Sequence, residues 1–293
     1  MSVFKGAAVA IVTPFKDNGD INYEKFAAVI EDQIQNGTDC IVVCGTTGEA
    51  ACLTEEEHLA AIKFCVEQVN HRIPVMAGTG SNNTKTAIYL SQEAEKVGVD
   101  ALLSVTPYYN KTTQRGLIEH FTDIAKSVNI PIVLYSVKSR TGVNIEPETV
   151  KTLVNNVPNI VGIKEASGSM AQAEKIKAIC PDCELYSGDD EMTVPMMSIG
   201  GIGVISVVSN VAPRYVHDMC MKALNGDFVG AATMQLAELD LVDALFSETN
   251  PIPVKEAMNM MGMEVGPLRK PLVPMSDANR ENLRRALKDF GLL

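Results

Sequence analysis

The segment Asn159-Ile-Val-Gly-Ile-Lys-Glu-Ala-Ser-Gly168 opens with a short apolar run and reaches a lysine before any turn residue. Residues 160–163 have the composition of a strand that is buried on both faces. A lysine at the end of such a strand either extends to solvent and pairs with a neighbour such as Glu165, or is desolvated. A desolvated lysine is a good nucleophile toward carbonyls, because it sheds its proton more readily. The segment therefore predicts a buried strand and leaves two hypotheses for Lys164, a surface ion pair and a Schiff base.

Seven other short apolar runs resemble this one, and each of the first seven runs is followed by a segment with helical period. In order, the eight runs are residues 7–12, 40–44, 74–77, 101–105, 132–135, 160–164, 184–187 and 203–208. Between the second and third runs, Leu59, Ile62 and Val66 form an apolar stripe, and Thr54 with Glu57 has the spacing of a capping box. The chain therefore alternates predicted strands with predicted helices.

Eight strands that alternate with helices predict a (β/α)8 barrel, an α/β fold. The alternative is a doubly wound open sheet, which usually has a glycine-rich first turn. Here the first run is followed by Thr13-Pro14-Phe15, without a glycine pattern. The glycines at 200, 201 and 203 precede the eighth run, so they predict a tight helix-to-strand turn rather than a phosphate-binding loop. The barrel is the favoured fold.

The strand signal stops near residue 225. Residues 228–246, 253–261 and 279–290 have helical period, and the second of these segments ends at Gly262. We therefore expect a catalytic barrel domain over residues 1–224 and a C-terminal helical domain over residues 225–293.

The composition favours a small-molecule ligand over a nucleic acid or a membrane. The 293 residues are 46% hydrophobic and 21% charged, with a formal net charge of −11. Such an acidic surface repels nucleic acids and anionic membranes. The apolar run at residues 7–12 is too short for a signal peptide or a membrane span, so we expect a cytoplasmic protein. The four histidines are scattered and the single CxxC pair at 180–183 lacks a second pair, so no metal site is predicted.

Side chains suited to carbonyl chemistry follow several of the predicted strands, on the face where barrel enzymes hold their active sites. They are Thr46, Thr47, Tyr108, Tyr109, Tyr135, Arg140 and Lys164. Hydroxyl groups can relay protons, the amides of residues 45–48 can bind a carboxylate, and a guanidinium can grip a second carboxylate. Each residue alone also fits a structural role, such as a turn, core packing or an interface. Their convergence on one rim favours the Schiff-base hypothesis for Lys164.

Six motifs together resemble the dihydrodipicolinate synthase family, within the class I aldolase superfamily that includes N-acetylneuraminate lyase. They are Gly45-Thr-Thr-Gly-Glu49, Pro107-Tyr-Tyr-Asn110, Ser139-Arg-Thr-Gly142, Gly162-Ile-Lys-Glu-Ala166, Gly203-Val-Ile-Ser206 and Asn250-Pro-Ile-Pro-Val-Lys255. The likeness covers the whole chain. It implies condensation of pyruvate with aspartate-semialdehyde in lysine and diaminopimelate biosynthesis, without a metal or an organic cofactor.

The resemblance also implies the roles of four catalytic residues. Lys164 would form the Schiff base with pyruvate, and Tyr135 would donate and accept the proton. Thr46 and Tyr109 would complete a proton relay, with Tyr109 reaching in from a neighbouring subunit. Family members of this kind are typically homotetramers built as dimers of dimers.

Three further residues would bind substrate. The resemblance implies that Thr47 and Ile205 contact pyruvate, Ile205 through its backbone. Arg140 would orient the carboxylate of aspartate-semialdehyde.

Two alternative functions would use the same fold. A lyase of a 2-keto sugar acid such as N-acetylneuraminate would share Lys164 and Tyr135, but its polyol substrate would favour neutral residues over Arg140. A non-catalytic keto-acid-binding homologue is suggested by the loop after Tyr135, where Ser136-Val137-Lys138 replaces the Asn-Val-Pro of the family. Loss of the proline frees the backbone ahead of Arg140.

The site at which lysine inhibits regulated relatives is altered in this sequence. His58, Asn82 and Tyr108 match the family pattern, whereas Glu55 and Thr86 replace a histidine and a glutamate. A threonine lacks the carboxylate that would hold the ammonium of the ligand. We therefore expect weak or absent inhibition by lysine. Steady-state rates measured with added lysine test this, and inhibition at sub-millimolar lysine would contradict it.

Overall fold

The computed structural model describes residues 2–293, and its centre is a closed barrel of eight parallel strands that pair in chain order. The strands are β1 (Gly6–Ala10), β2 (Cys40–Val43), β3 (Val75–Gly78), β4 (Ala101–Val105), β5 (Ile132–Ser136), β6 (Ile160–Glu165), β7 (Glu184–Ser187) and β8 (Gly203–Ser206). β8 pairs with β1 and closes the ring. The predicted (β/α)8 barrel with a C-terminal helical extension is confirmed.

Helices surround the barrel and continue beyond its last strand. Within residues 2–293 they are α1 (Tyr23–Gln35), α2 (Glu55–Val69), α3 (Thr84–Lys96), α4 (Gln114–Lys126), α5 (Lys138–Thr141), α6 (Pro147–Asn156), α7 (Met170–Ile179), α8 (Thr193–Ser198), α9 (Pro213–Leu224), α10 (Phe228–Ala237), α11 (Leu239–Leu245), α12 (Ile252–Met260) and α13 (Asp277–Asp289). α2 begins at the predicted capping box, where Thr54 Oγ1 accepts from Glu57 N and Glu57 Oε2 accepts from Thr54 N.

Two apolar layers result from the alternation of side chains along each strand. Tyr135 belongs to the layer inside the barrel, while Ile163 belongs to the layer between strands and helices. On β6, Lys164 lies over the Tyr135 ring and therefore faces the barrel axis, whereas Glu165 bonds to Gln172 of α7 on the outside. The two neighbours in sequence thus occupy different environments.

Closure of the barrel depends on glycine at the junction of β1 and β8. A Cβ atom on Gly203 would lie 2.0 Å from the carbonyl oxygen of Gly6, so no larger residue fits there without moving the backbone. The preceding turn between α8 and β8 uses Gly200, whose φ of 98° lies in the region that favours glycine. The glycine cluster thus forms the helix-to-strand turn that the sequence predicts.

The predicted single helix over residues 228–246 is wrong, because the chain forms two helices, α10 and α11, that meet at Glu238. Glu238 is fully buried, and its carboxyl accepts from Gln235 Nε2 at 2.8 Å. The same Gln235 amide also donates to the carbonyl of Asp190 in the barrel. Hydrophobic periodicity did not predict this break between the helices. The break lies where Gln235 turns inward to the loop at Asp190, and periodicity carries no information about such a distant contact.

The C-terminal segment is bound to the mouth of the barrel by a buried ion pair. Lys255 Nζ lies 2.8 Å from Glu49 Oε1, and the two side chains are 1% and 0% exposed. Lys255 also donates to the carbonyls of Thr13 and Pro267. A boundary between domains at residue 224 stays a prediction, because these contacts cross it.

The helices of residues 2–293 were compared with the requirements for a membrane span. None combines the length and the apolar character that a bilayer crossing requires.

We predict that Lys255→Met lowers the free energy of unfolding by about 3–5 kcal/mol, because it leaves the Glu49 carboxylate buried without its counter-charge. Urea denaturation measures the change. As a matched control, Lys63→Met removes an exposed pair with Glu67, whose side chains are 63% and 65% exposed. This control should cost under about 0.5 kcal/mol. Equal losses of unfolding free energy in the two variants would contradict a larger contribution from the buried pair.

Candidate active site

A cavity of about 460 Å³ opens at the C-terminal ends of the strands. Its lining includes Thr46, Tyr108, Tyr135, Arg140 and Asn250. These residues come from the loops after β2 and β4, from β5 and its loop, and from the segment before α12. The fold thus gathers at one rim side chains that are up to about two hundred residues apart, as the barrel architecture predicts.

Lys164 lies beside this cavity, at the level of Tyr135. The two residues are paired in register on β6 and β5, and Lys164 Nζ lies 4.3 Å from the centroid of the Tyr135 ring. Lys164 is 6% exposed, and within residues 2–293 its Nζ has no hydrogen-bond or ion-pair partner. The neighbouring Glu165 instead accepts from Ser167 N at 2.7 Å. The surface ion pair with Glu165 is therefore not formed, and the amine is free to react.

The space for the Lys164 side chain depends on a glycine in the next loop. A Cβ atom on Gly188 would lie 3.1 Å from Lys164 Cε and 2.5 Å from Ala166 Cβ. An alanine at this position would therefore press on the lysine stem. Gly188 directly follows β7, a strand end at which the sequence predicted no site residue.

Tyr135 and Thr46 are the two candidate proton carriers that line the cavity in a single chain. Tyr135 is 7% exposed and shares the inner apolar layer with Ile205, which is 1% exposed. Thr46 is half-buried, and its hydroxyl makes no hydrogen bond to another side chain of residues 2–293. Both hydroxyls can therefore meet a ligand in the cavity.

The loop after β2, whose Gly45 and Thr46 line the cavity, has main-chain amides that differ in their bonding. Glu49 N and Ala50 N are paired with carbonyls of the loop itself, at Thr46 and Gly45. The N–H groups of Thr46 and Thr47 have no acceptor within the described chain, residues 2–293. Two adjacent free amides form a concave donor site that suits a carboxylate.

Asn250 connects two of the predicted substrate-binding residues, and the sequence analysis gave it no role of its own. Its Nδ2 donates to Thr47 Oγ1 at 2.9 Å, and its carbonyl accepts from Arg140 Nη2 at 3.0 Å. Its Oδ1 is buried and has no partner among residues 2–293. Thr47 itself is 2% exposed, so its hydroxyl is directed to Asn250. The only sequence signal for Asn250 was its place in a family motif.

Tyr109 is the one predicted catalytic residue that the single chain does not bring to the cavity. Its side chain is 93% exposed, whereas Tyr108 lines the cavity and is 39% exposed. Tyr109 also has a φ of 70°, which is uncommon for a bulky residue. The chain thus holds this ring outward in a conformation that a neighbouring molecule could use.

Two acidic residues, Asp189 and Asp190, follow β7 in the chain and are close enough to Lys164 for its charge to affect them. Burial raises the pKa of Asp189 to about 6, although the nearby Lys164 ammonium opposes the rise. Asp190 is fully buried and accepts from Ser206 Oγ and Val207 N. Burial also raises the pKa of Asp190. Both residues follow a predicted strand, and this could be read from the sequence. Nothing in the pattern around them singled them out as candidates for the site.

Four of the five residues that the sequence analysis assigned to the lysine-inhibition site line the same cavity, and Asn82 does not. Glu55, His58, Thr86 and Tyr108 all line it. His58 Nε2 lies 2.7 Å from the carbonyl of Gly78, and burial lowers the pKa of this histidine. Within residues 2–293, no group of three or more His, Cys, Asp or Glu side chains is placed to hold a metal ion.

Comparisons with known proteins agree with this geometry. Residues 3–290 match the model of the dihydrodipicolinate synthetase family. The chain is 57% identical to a 4-hydroxy-tetrahydrodipicolinate synthase from Lachnoclostridium phytofermentans, over 100% of both chains. The crystal structure of dihydrodipicolinate synthase from Aquifex aeolicus is 46% identical, with a TM-score of 0.96 over 99% of both chains. A dihydrodipicolinate synthase described as a monomeric variant is 42% identical, with a TM-score of 0.96 over 99% of this chain and 98% of that one. The chain therefore belongs to the dihydrodipicolinate synthetase family.

Proposed function

We propose that this protein is a lyase of the class I aldolase type, which condenses pyruvate with aspartate-semialdehyde to 4-hydroxy-tetrahydrodipicolinate in lysine and diaminopimelate biosynthesis. The observation that carries the proposal is the unpaired, nearly buried amine of Lys164 against the Tyr135 ring, at the rim of the barrel. Its family membership at 57% identity over the full chain supports the same reaction.

In the proposed first half-reaction, Lys164 Nζ attacks the keto carbon of pyruvate. The amides of Thr46 and Thr47 would hold the pyruvate carboxylate. Loss of water from the carbinolamine gives an iminium, and removal of a methyl proton gives an enamine. Tyr135 would move these protons, and the contact of its ring with Lys164 supports this role.

In the second half-reaction, the enamine carbon attacks the aldehyde of aspartate-semialdehyde, and the new alkoxide takes up a proton. The amino group of that substrate then displaces Lys164 and closes the ring, which frees the lysine. Arg140 would hold the remaining carboxylate, since a guanidinium binds a carboxylate through two N–H groups. Its contact with the Asn250 carbonyl keeps it at the rim of the cavity.

Asp189 supports the cationic steps of this mechanism. Its carboxyl is close enough to Lys164 for the ammonium to favour the ionised form. A negative charge at this position stabilises an iminium on the same nitrogen. The cost is that the carboxylate is itself partly desolvated, which destabilises the folded chain at neutral pH.

We infer that Tyr109 completes the site of a neighbouring subunit, as expected for a homotetramer built from dimers. Its 93% exposed ring supports this, because the turn around Tyr109, closed by a bond from Asn110 N to the Tyr108 carbonyl at 2.9 Å, directs the side chain away from its own barrel. The relative described as monomeric shows that the fold tolerates other assembly states. We also propose a cytoplasmic location, since both substrates are intermediates of central metabolism.

We predict that borohydride added with pyruvate reduces an iminium and leaves one covalent pyruvyl adduct on Lys164. Mass spectrometry of the digested protein locates the adduct. Lys164→Ala should form none, while Lys138→Ala, which removes an exposed lysine near the cavity, should react as the wild type does.

Tyr135→Phe should still form the adduct but lower kcat by about 10²–10⁴-fold.

The outcome also separates the alternatives. A keto-acid sensor would bind pyruvate without an adduct, and a sugar-acid lyase would form the adduct but cleave N-acetylneuraminate rather than consume aspartate-semialdehyde. A coupled assay with each second substrate distinguishes the last two. Wild-type protein that remains unlabelled under these conditions would refute the Schiff-base mechanism.

We predict that Asp189→Asn stabilises the fold above pH 6 and slows catalysis. The folded pKa of about 6 exceeds the usual value of 3.8, so the folded state binds more protons between these values, and stability falls as the pH rises through this range. The increase in the free energy of unfolding caused by the substitution should therefore be about 2 kcal/mol larger at pH 7.5 than at pH 4. Urea denaturation at both pH values measures this. Asp182→Asn, on an exposed turn before the same strand, should show no such difference.

A further inference from the structure

The Arg140 loop, residues 137–145, leaves the end of β5 beside Tyr135 and begins with the single-turn helix α5. Thr141 N donates to Val137 O at 3.1 Å, and Gly142 N donates to Lys138 O at 2.9 Å. These bonds hold the first half of the loop as a unit. They do not by themselves fix the unit to the barrel.

Ser136 fastens the far end of this loop to the strand. Its Oγ donates to Asn144 Oδ1 at 3.1 Å and accepts from Ile145 N at 3.1 Å. Ser136 is fully buried and Ile145 is buried as well, so the bond between them is shielded from water. One hydroxyl therefore joins the point where the loop leaves the barrel to the point where it returns.

The bonds continue from the loop to the strand that carries Lys164. Asn144 Nδ2 donates to Gln172 Oε1 at 2.6 Å, and Gln172 Nε2 donates to Glu165 Oε2 at 2.8 Å. Ser136 and Glu165 are themselves paired in register on β5 and β6. The four side chains thus form a hydrogen-bonded circuit that is closed only by the backbone pairing of β5 with β6. It lies on the helix side of the same two strands whose axis side carries Tyr135 and Lys164.

The direction of each bond in the circuit is set by Glu165. This carboxyl is fully buried and, when ionised, can only accept hydrogen bonds. It therefore requires the amide nitrogen of Gln172, which leaves the Gln172 oxygen to accept from Asn144 Nδ2. The Asn144 oxygen then accepts from both the Ser136 hydroxyl and Gln172 Nε2. Each member has one favourable orientation, so the circuit is rigid rather than adaptable.

We propose that Ser136, Asn144, Gln172 and Glu165 form a positioning network that fixes the Arg140 loop to β6 and thereby sets the affinity for the second substrate. The inference rests on the proposed function, in which Arg140 holds the carboxylate of aspartate-semialdehyde. None of the four residues touches the cavity, so they act through Arg140.

Kinetic analysis of Ser136→Ala tests the network. Loss of the hydroxyl removes two hydrogen bonds and leaves Ile145 N without an acceptor, so the loop loosens at its return point. We expect the KM for aspartate-semialdehyde to rise about five-fold or more. The KM for pyruvate and the rate of borohydride trapping at Lys164 should stay within about two-fold of wild type.

Three further variants make the result specific. Ser104→Ala removes the same atom from the adjacent strand β4, where the hydroxyl is buried without a partner, and should leave both KM values unchanged. Asn144→Ala, at a half-buried position, should reproduce the effect and decides the question if Ser136→Ala does not fold. Ser136→Ala with Lys138→Pro should recover much of the affinity. Lys138 is the first residue of α5, where proline fixes φ without loss of a hydrogen bond.

Two results would overturn the network. One is an unchanged KM for aspartate-semialdehyde in both Ser136→Ala and Asn144→Ala. The other is an equal rise for both substrates, which would mean general damage to the barrel. Failure of the proposed function is recognised separately, because wild-type protein would then form no adduct with pyruvate or would not condense it with the aldehyde.

Discussion

The register between β5 and β6 is the constraint on which this site depends. Pairing of Tyr135 with Lys164 places a phenol and an amine side by side on the axis of the barrel, where few polar partners compete for either. A shift of one residue would exchange Lys164 for Glu165 and turn the amine toward the helices. The carbonyl chemistry therefore depends on backbone pairing that is set by the apolar residues of the two strands.

Polar contacts between the loops at the C-terminal end of the barrel form the walls of the cavity beside this pair. Asn250 joins Thr47 to Arg140, and the Lys255 and Glu49 pair binds the same segment to the loop after β2. These contacts bring together loops that follow different strands. The Asn250–Thr47 bond and the Lys255–Glu49 pair are buried, so they restrict the loops more strongly than exposed ion pairs would. The C-terminal helices thus contribute to the geometry of the site as well as to the size of the core.

Asp189 and Glu238 are acidic residues whose burial costs folding free energy. Burial raises the pKa of Asp189 to about 6 and that of Glu238 to about 9. Glu238 has one carboxyl oxygen without a partner in residues 2–293 and lies at the junction of two helices. Asp189, by contrast, is near enough to Lys164 for that side chain to affect its pKa. A buried carboxyl near an iminium has a chemical use that offsets its cost in folding free energy, whereas for Glu238 the structure shows only its hydrogen bond to Gln235.

The sequence by itself determined the class of fold and singled out Lys164 as the candidate Schiff-base residue. Eight apolar runs separated by amphipathic helices admit few architectures, and a lysine at the end of a doubly buried strand is unusual enough to stand out. The family and its motifs were also readable from the chain. Only the tertiary structure decided which strand-end residues share a cavity with that lysine, that Asn250 joins Thr47 to Arg140, that Tyr109 points away from its own barrel, and that residues 228–246 form two helices. These features depend on contacts between segments far apart in the chain, and local periodicity carries no information about such contacts.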